Sequence, residues 1–131
     1  MGNSSPVGLG ETLFTPELVI TAKVGGSSTV NKGQVVKLSA AMGTDGIPTV
    51  VAAAAGETAY GVALRTGAVG EYIPILKRGY VTVTAAGSIS AGALVKPAAG
   101  GKVQSATAFE MGWAETGASA DGDTLLIRVV L

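Results

Sequence analysis

The stretch VNKGQVVKLSA, Val30–Ala40, is followed 59 positions later by a similar stretch, ISAGALVKPAA, Ile89–Ala99. Gly33 of the first stretch aligns with Gly92 of the second, and each glycine is followed by a short run with Val and Lys. A glycine turn followed by a short run of β-branched residues predicts a turn that leads into a strand. The chain therefore contains the same turn-and-strand element twice.

The similarity extends beyond these two stretches, because residues 60–76 resemble residues 111–129. Gly61 aligns with Gly112, and Glu71 aligns with Asp123. We expect an internal repeat with copies at about 29–78 and 88–131. Each copy would hold three or four strands, which are marginally stable alone, and two copies can close on each other and remove free sheet edges. The sequence predicts an all-β fold, a small barrel or sandwich built from two similar half-units.

Short β-like segments alternate with Gly, Ser, Asn and Asp turns along the chain after residue 16. The pattern predicts strands at 18–23, 35–38, 48–51, 60–64, 71–76, 79–84, 93–97, 102–104, 110–115 and 124–130. The one expected helix is a turn or two within residues 50–57, where alanines favour helix and Gly56 would end it. Residues 17–131 are expected to form a single β domain, preceded by an extended N-terminal arm at residues 1–16.

Composition and charge exclude several classes of function. Nine basic residues balance nine acidic ones, so no basic face for nucleic acid is expected. The chain has no Cys and no His, which excludes disulfides and Cys/His zinc sites. No apolar run approaches the ~20 residues of a membrane span, and the N-terminus does not read as a signal peptide. We expect a soluble protein that is made in the cytoplasm and has no cofactor, no metal site and no membrane partner.

The sequence predicts that the acidic residues near glycines lie in turns. Asp121 and Asp123 flank Gly122, but this loop offers too few ligands for a calcium site. Glu71 and Asp123 each follow a glycine, and we expect both to hydrogen-bond the preceding turn. No nucleophile and base stand together, so no catalytic residue and no enzymatic activity are predicted. A small hydrolase that uses carboxylates is the least favoured reading.

The aromatic residues are few, at 5% of the chain. The single tryptophan, Trp113, and Tyr80 are predicted to lie in the core or in a subunit interface. The alternative is a small β module that recognises carbohydrate or protein, which would need some of the aromatic side chains to be exposed together.

The order of short motifs from residue 18 to residue 131 resembles that of the capsid cement, or decoration, proteins of tailed bacteriophages. The motifs that carry the resemblance are Gly61-Val62-Ala63, Ile89–Val95, Gly101-Lys102, Gly112–Ala114, Gly122-Asp123 and Ile127-Arg128-Val129. These are turns and strand starts, so their order and spacing carry the resemblance and no single motif does.

The resemblance implies a non-enzymatic virion protein on the outer surface of a mature icosahedral phage head. Such a protein would bind across major capsid subunits, stabilise the shell, and occur as a homotrimer with N-terminal arms on the capsid. The candidate capsid contacts are then Leu9, Glu11, Leu13 and Phe14. Copy one is longer than copy two in its middle, residues 41–59, and this stretch is a candidate for a separate contact loop.

Overall fold

The structure is a computed structural model that describes residues 17–131. The predicted arm at residues 1–16 lies outside the described residues. Within residues 17–131 there are nine strands and one short 3-10 turn at Ala99–Gly101. The strands are β1 Leu18–Val24, β2 Val35–Ala40, β3 Thr49–Ala52, β4 Gly61–Ala63, β5 Tyr72–Thr84, β6 Leu94–Pro97, β7 Val103–Ser105, β8 Gly112–Ala114 and β9 Thr124–Val130.

All nine strands belong to one sheet in the order β1-β3-β2-β4-β5-β9-β8-β6-β7. The first strand pairs with both β3 and β5, so β1, β3, β2, β4 and the first part of β5 form a closed ring. Closure leaves no free edge in this part of the sheet. The predicted all-β class with a small barrel is confirmed.

The remaining strands repeat this pairing pattern. The second part of β5 pairs with β9, β9 with β8, β8 with β6, and β6 with β7. A parallel bridge between Ala85 and Val103 then joins the end of β5 to β7, as β1 joins β3 in the first ring. We call residues 18–78 the first unit and residues 79–130 the second unit; β5 belongs to both.

Backbone hydrogen bonds correspond between the two units. In the first unit the Gly33 N–H donates to the Ala63 carbonyl at 2.8 Å, and in the second the Gly92 N–H donates to the Ala114 carbonyl at 2.7 Å. By the same comparison Val24 matches Ala85, Val30 matches Ile89, Val50 matches Val103, and Pro74 matches Leu126. The two units therefore share one pattern of pairing, and descent from a duplicated segment at 29–78 and 88–131 stays a prediction.

Each unit has its own apolar interior, built from matching positions. The first unit buries Ala22, Val24, Val30, Val36, Val50, Ala63, Ile73 and Ile75. The matching positions of the second unit are Val83, Ala85, Ile89, Val95, Val103, Ala114, Leu125 and Ile127, and all of them are buried. Small side chains fill these narrow rings, which explains a sequence rich in Ala and Val.

Two predictions about local structure were wrong. Residues 71–76 and 79–84 are not separate strands but parts of β5, which runs for 13 residues. Gly79, with φ 139°, sits where β5 passes from one unit to the other, and a side chain would disfavour this backbone conformation. The expected helix within 50–57 is also absent: residues up to Ala52 form β3, and the Ala53 N–H then donates to the Val35 carbonyl.

Candidate interaction surfaces

Two matching rows of side chains cross the outer surfaces of the two units. In the first unit, cross-strand pairing aligns Val35 with Val62 and Val62 with Leu76. In the second unit, it aligns Leu94 with Trp113, Trp113 with Arg128, and Arg128 with Tyr80. We call the second row, Leu94, Trp113, Arg128 and Tyr80, the Trp113 face.

The first row is fully covered by the second unit. Val35, Val62 and Leu76 are each 0% exposed, and they belong to the same apolar cluster as the interior of the second unit, which also includes Met111 and Val129. We call these five residues the joint. An apolar contact of this kind holds the two units together by removing hydrocarbon surface from water.

The Trp113 face is only half-buried and carries polar groups. The Trp113 indole Nε1 donates a hydrogen bond to Glu115 Oε2 at 2.7 Å. The Arg128 guanidinium lies over the Tyr80 ring at 4.9 Å from its centroid, within the range of a cation–π contact. This face therefore combines two aromatic rings with an arginine between them.

Arg128 also makes a two-point ion pair with Glu17, the residue just before β1. Arg128 Nη2 donates to Glu17 Oε1 at 2.9 Å, and Arg128 Nη1 donates to Glu17 Oε2. This hydrogen bonding lowers the pKa of Glu17 and raises the pKa of Arg128. The pair fixes the start of β1 against the last strand, 111 positions away in sequence.

The end of the first unit is formed by Tyr60 and Lys77. Lys77 Nζ lies 3.6 Å from the centroid of the Tyr60 ring and donates to the Tyr60 carbonyl at 2.6 Å. Burial lowers the pKa of Lys77, because desolvation disfavours the charged ammonium. We call these two residues the Tyr60 end.

The loop between β2 and β3 contains part of the longer middle that the sequence indicated. Residues 41–46 are exposed; Met42 is 58% exposed, and Leu38 in the adjacent strand is 49% exposed. The Gly46 N–H donates to the Gly43 carbonyl, and the Ile47 N–H donates to Asp45 Oδ1. The loop thus contains a turn with its own hydrogen bonds and the exposed Met42, and Leu38 is exposed on the strand that precedes it.

The predicted turn roles of Glu71 and Asp123 are confirmed. Glu71 Oε1 accepts the Ala68 N–H at 2.8 Å, and Asp123 Oδ2 accepts the N–H groups of Ser119 and Ala120, both at 3.1 Å. The Ser119 hydroxyl also donates to Asp123, and these bonds lower the pKa of Asp123. Asp123 Oδ2 therefore accepts three hydrogen bonds from its own turn.

An open depression beside Asp123 is lined mostly by small side chains and contains this single carboxylate. Among residues 17–131, no three or more acidic side chains lie together in a way that could hold a metal ion. In that same part of the chain there is no helix long and apolar enough to cross a membrane.

The structure describes some of the predicted site residues and not others. Leu9, Glu11, Leu13 and Phe14 lie outside the described residues. Trp113 and Tyr80 lie on one outer face, on either side of Arg128, and both are half-buried; their assignment to a subunit interface stays a prediction. Sequence reasoning missed Arg128, although the repeat alignment places this charged residue where the first unit has buried Leu76.

The chain matches no protein-family model and no curated protein sequence. The chain is similar to the solved structure of the N-terminal base of the head fibre protein gp8.5 of bacteriophage phi29. The similarity has a TM-score of 0.67 at 19% sequence identity, and covers 86% of this chain and 92% of that chain. At this identity the likeness establishes a shared fold.

Proposed function

We propose that this protein is a capsid decoration protein that binds the exterior of a mature icosahedral phage head across major capsid subunits and stabilises the shell. The observation that carries the proposal is the fold shared with the base of a phage head fibre, over nearly the whole of both chains. The motif order typical of cement proteins supports the same class, and the proposed role needs no catalytic group and no cofactor.

Two parts of the chain are proposed to contact the major capsid protein. The first is the N-terminal segment, through Leu9, Glu11, Leu13 and Phe14. The second is the loop between β2 and β3, where Met42 and Leu38 expose apolar surface. Exposed apolar side chains gain free energy when a partner removes them from water.

Stabilisation of the shell follows from linkage. A protein that binds the mature lattice and not its dissociated subunits shifts the equilibrium toward the lattice. Many bound copies, here proposed as homotrimers, each contribute to this shift, so modest affinity per copy suffices.

The proposal is tested by mixing the purified protein with expanded heads of the phage that encodes it. We expect the protein to co-sediment with the heads and to raise their disruption temperature. Deleting residues 2–16, or changing Met42→Ser together with Leu38→Ser, is expected to weaken binding at least about tenfold. Phe109→Ser, which changes an exposed apolar residue in another loop, is the matched control. Absence of binding to the heads would refute the proposal, and full affinity without residues 2–16 would refute the contact assigned to that segment.

A second candidate function is a small binding module on a phage or surface structure. The Trp113 face favours it, because two aromatic rings on one surface can hold a sugar ring or a peptide. A glycan-array signal that Trp113→Ala abolishes, from a protein that does not bind the heads, would favour this module over decoration.

A further inference from the structure

The pairing of β2 with β4 is shorter than β2 itself, because it ends at Val36 while β2 continues for four more residues. The last hydrogen bond that the described residues make on this side of β2 runs from the Tyr60 N–H to the Val36 carbonyl, at 2.7 Å. Beyond it lies a cleft of about 330 Å³, lined by Lys37 and Leu38 on one side and by residues 56–60 on the other. We call it the β2 cleft.

The backbone of Leu38 directs its hydrogen-bonding groups into the β2 cleft. On the β3 side, the Ala53 N–H donates to the Val35 carbonyl at 2.8 Å. Hydrogen-bonded and non-hydrogen-bonded pairs alternate along antiparallel strands, so Leu38 and Val50 form a non-hydrogen-bonded pair. The Val50 carbonyl accordingly accepts the Gly25 N–H on the far side of β3. The N–H and carbonyl of Leu38 therefore face the cleft, and neither has a hydrogen-bond partner among residues 17–131.

The second unit has no free donor at the matching position. Val95 matches Val36 in the pairing register, so Pro97 matches Leu38. Proline has no N–H, and the Pro97 carbonyl accepts a hydrogen bond from Gln104 Nε2 at 3.1 Å. A proline in an edge strand prevents further strand pairing. The first unit thus keeps one donor and one acceptor at a place where the second unit has removed the donor and satisfied the acceptor.

The walls of the β2 cleft suit an uncharged segment. Lys37 and Glu57 form an ion pair with each other, and the other lining side chains carry no charge. A free strand edge binds an extended peptide through main-chain hydrogen bonds, and neighbouring side chains give specificity. Here the exposed Leu38 and Met42 are those neighbours, since Met42 lies in the loop that begins where β2 ends.

We propose that an extended, uncharged segment of the major capsid protein enters the β2 cleft and pairs with Leu38 as an added strand. The occupant is the capsid protein because the cleft is continuous with the apolar contact that Leu38 and Met42 are proposed to make. The inference rests on the proposed function and deepens it, since it assigns part of the binding to main-chain hydrogen bonds.

Hydrogen–deuterium exchange of the full chain, alone and bound to expanded heads of the phage that encodes it, tests the pairing without any substitution. The unpaired Leu38 amide is expected to exchange at least about tenfold more slowly on the heads. The amides of Ser119 and Ala120, which already donate to Asp123, are the internal control and should exchange at the same rate in both states. An unchanged Leu38 amide in protein that is bound to heads would overturn the added strand and leave the proposed function in place.

A proline substitution tests the same hydrogen bond by affinity. Leu38→Pro copies Pro97 and removes the donor, whereas Leu38→Ala keeps the donor and shortens the side chain. Loss of one hydrogen bond is expected to make the dissociation constant of Leu38→Pro for heads at least about fivefold higher than that of Leu38→Ala. Phe109→Ser again serves as the control outside the cleft. Circular dichroism shows whether Leu38→Pro folds, and if it does not, the exchange measurement on the unsubstituted protein decides.

The remaining outcomes separate the inference from the proposed function. Equal dissociation constants for Leu38→Pro and Leu38→Ala would overturn the added strand alone. Absence of binding by the unsubstituted protein would refute the proposed function and the inference with it. An oligomer of the free protein that Leu38→Pro dissociates would assign the edge to a second copy instead. A Leu38 amide that is slow in the free protein and fast after deletion of residues 2–16 would assign it to that segment, and either result overturns the proposal.

Discussion

The first and second units contain the same strands in the same order, yet their outer rows differ in chemistry. The row of the first unit is Val35, Val62 and Leu76, and it is buried under the second unit. The matching row of the second unit is Leu94, Trp113 and Arg128, and it is half-buried. The interiors, by contrast, are aliphatic at all eight matching positions. The residue types inside each ring are thus set by the interior of that unit. The residue types on the outer row depend instead on what that row contacts.

The largest effect is expected where two strands approach most closely inside a unit. A Cβ on Gly112 would lie 1.7 Å from the Arg128 carbonyl oxygen, and Gly112 has φ +155°. Gly112→Ala should therefore cost at least about 4 kcal/mol in the free energy of unfolding, measured by urea denaturation.

The matching change in the first unit is Gly61→Ala. A Cβ on Gly61 would lie 2.4 Å from Ile75 Cγ2 and 2.7 Å from the Leu76 carbonyl oxygen. These contacts are less severe, so we expect a cost of about 2 kcal/mol. Equal losses at Gly61 and Gly112 would contradict the difference in packing between the two units.

The next prediction compares the loss in the free energy of unfolding at matching positions of the two outer rows. Leu76→Ala removes a fully buried side chain from the joint and should cost about 3 kcal/mol. Arg128→Ala changes the matching position on the Trp113 face and should cost less, about 1–2 kcal/mol, because it removes a two-point ion pair and a cation–π contact and leaves the apolar interior intact. Urea denaturation of both variants at one low concentration is the measurement. A loss at Arg128 as large as that at Leu76 would contradict the difference in burial between the two outer rows.

The smallest predicted effect is the loss of thermal stability at low pH. The pKa values of Glu17, Glu57 and Asp123 all lie below the ordinary values of 4.5 for Glu and 3.8 for Asp. A carboxyl group whose pKa is lower in the folded state stabilises the fold above its unfolded pKa, and this contribution is lost as the pH falls through the folded pKa. Thermal stability should therefore be level near neutral pH and fall below about pH 4.5.

Asp123→Asn gives a control for this pH profile. It removes one of the three carboxyl groups, so melting curves should show a lower stability at neutral pH and a shallower fall in acid. An unchanged acid branch would indicate that the bonds from Ser119 and Ala120 to Asp123 contribute nothing to the pH dependence.

Local features of the sequence predicted most strands closely. The last strand, β9, has the predicted bounds Thr124–Val130, and the starts of most other strands differ by one residue. Alternation of buried and exposed residues and glycine turns are local signals, so they can be read without knowledge of the fold. Residues 50–57 were misread because alanine favours helix locally, whereas the pairing of β2 with β3 over Val36–Leu38 overrides that preference.

The candidate surfaces were predictable only in part. Trp113 and Tyr80 were singled out because large aromatic residues are rare in this chain, but their common face depends on Arg128, which aligns them across three strands. The pairing of Glu17 with Arg128 joins residues from opposite ends of the described chain. No local pattern contains information on a contact of that separation.

The sequence by itself determined the strands, the turns and the likeness of the two units, because these depend on neighbouring residues and on a pattern that occurs twice. The tertiary structure alone decided that β5 runs unbroken through both units, that β1 closes the first ring, and that the first outer row is the covered one. The physical reason is that one chain contains two like units, whose local sequence patterns do not show how the units pack on each other. When two like units pack together within one chain, the outer row of one unit is buried between them, and only the folded arrangement decides which row that is.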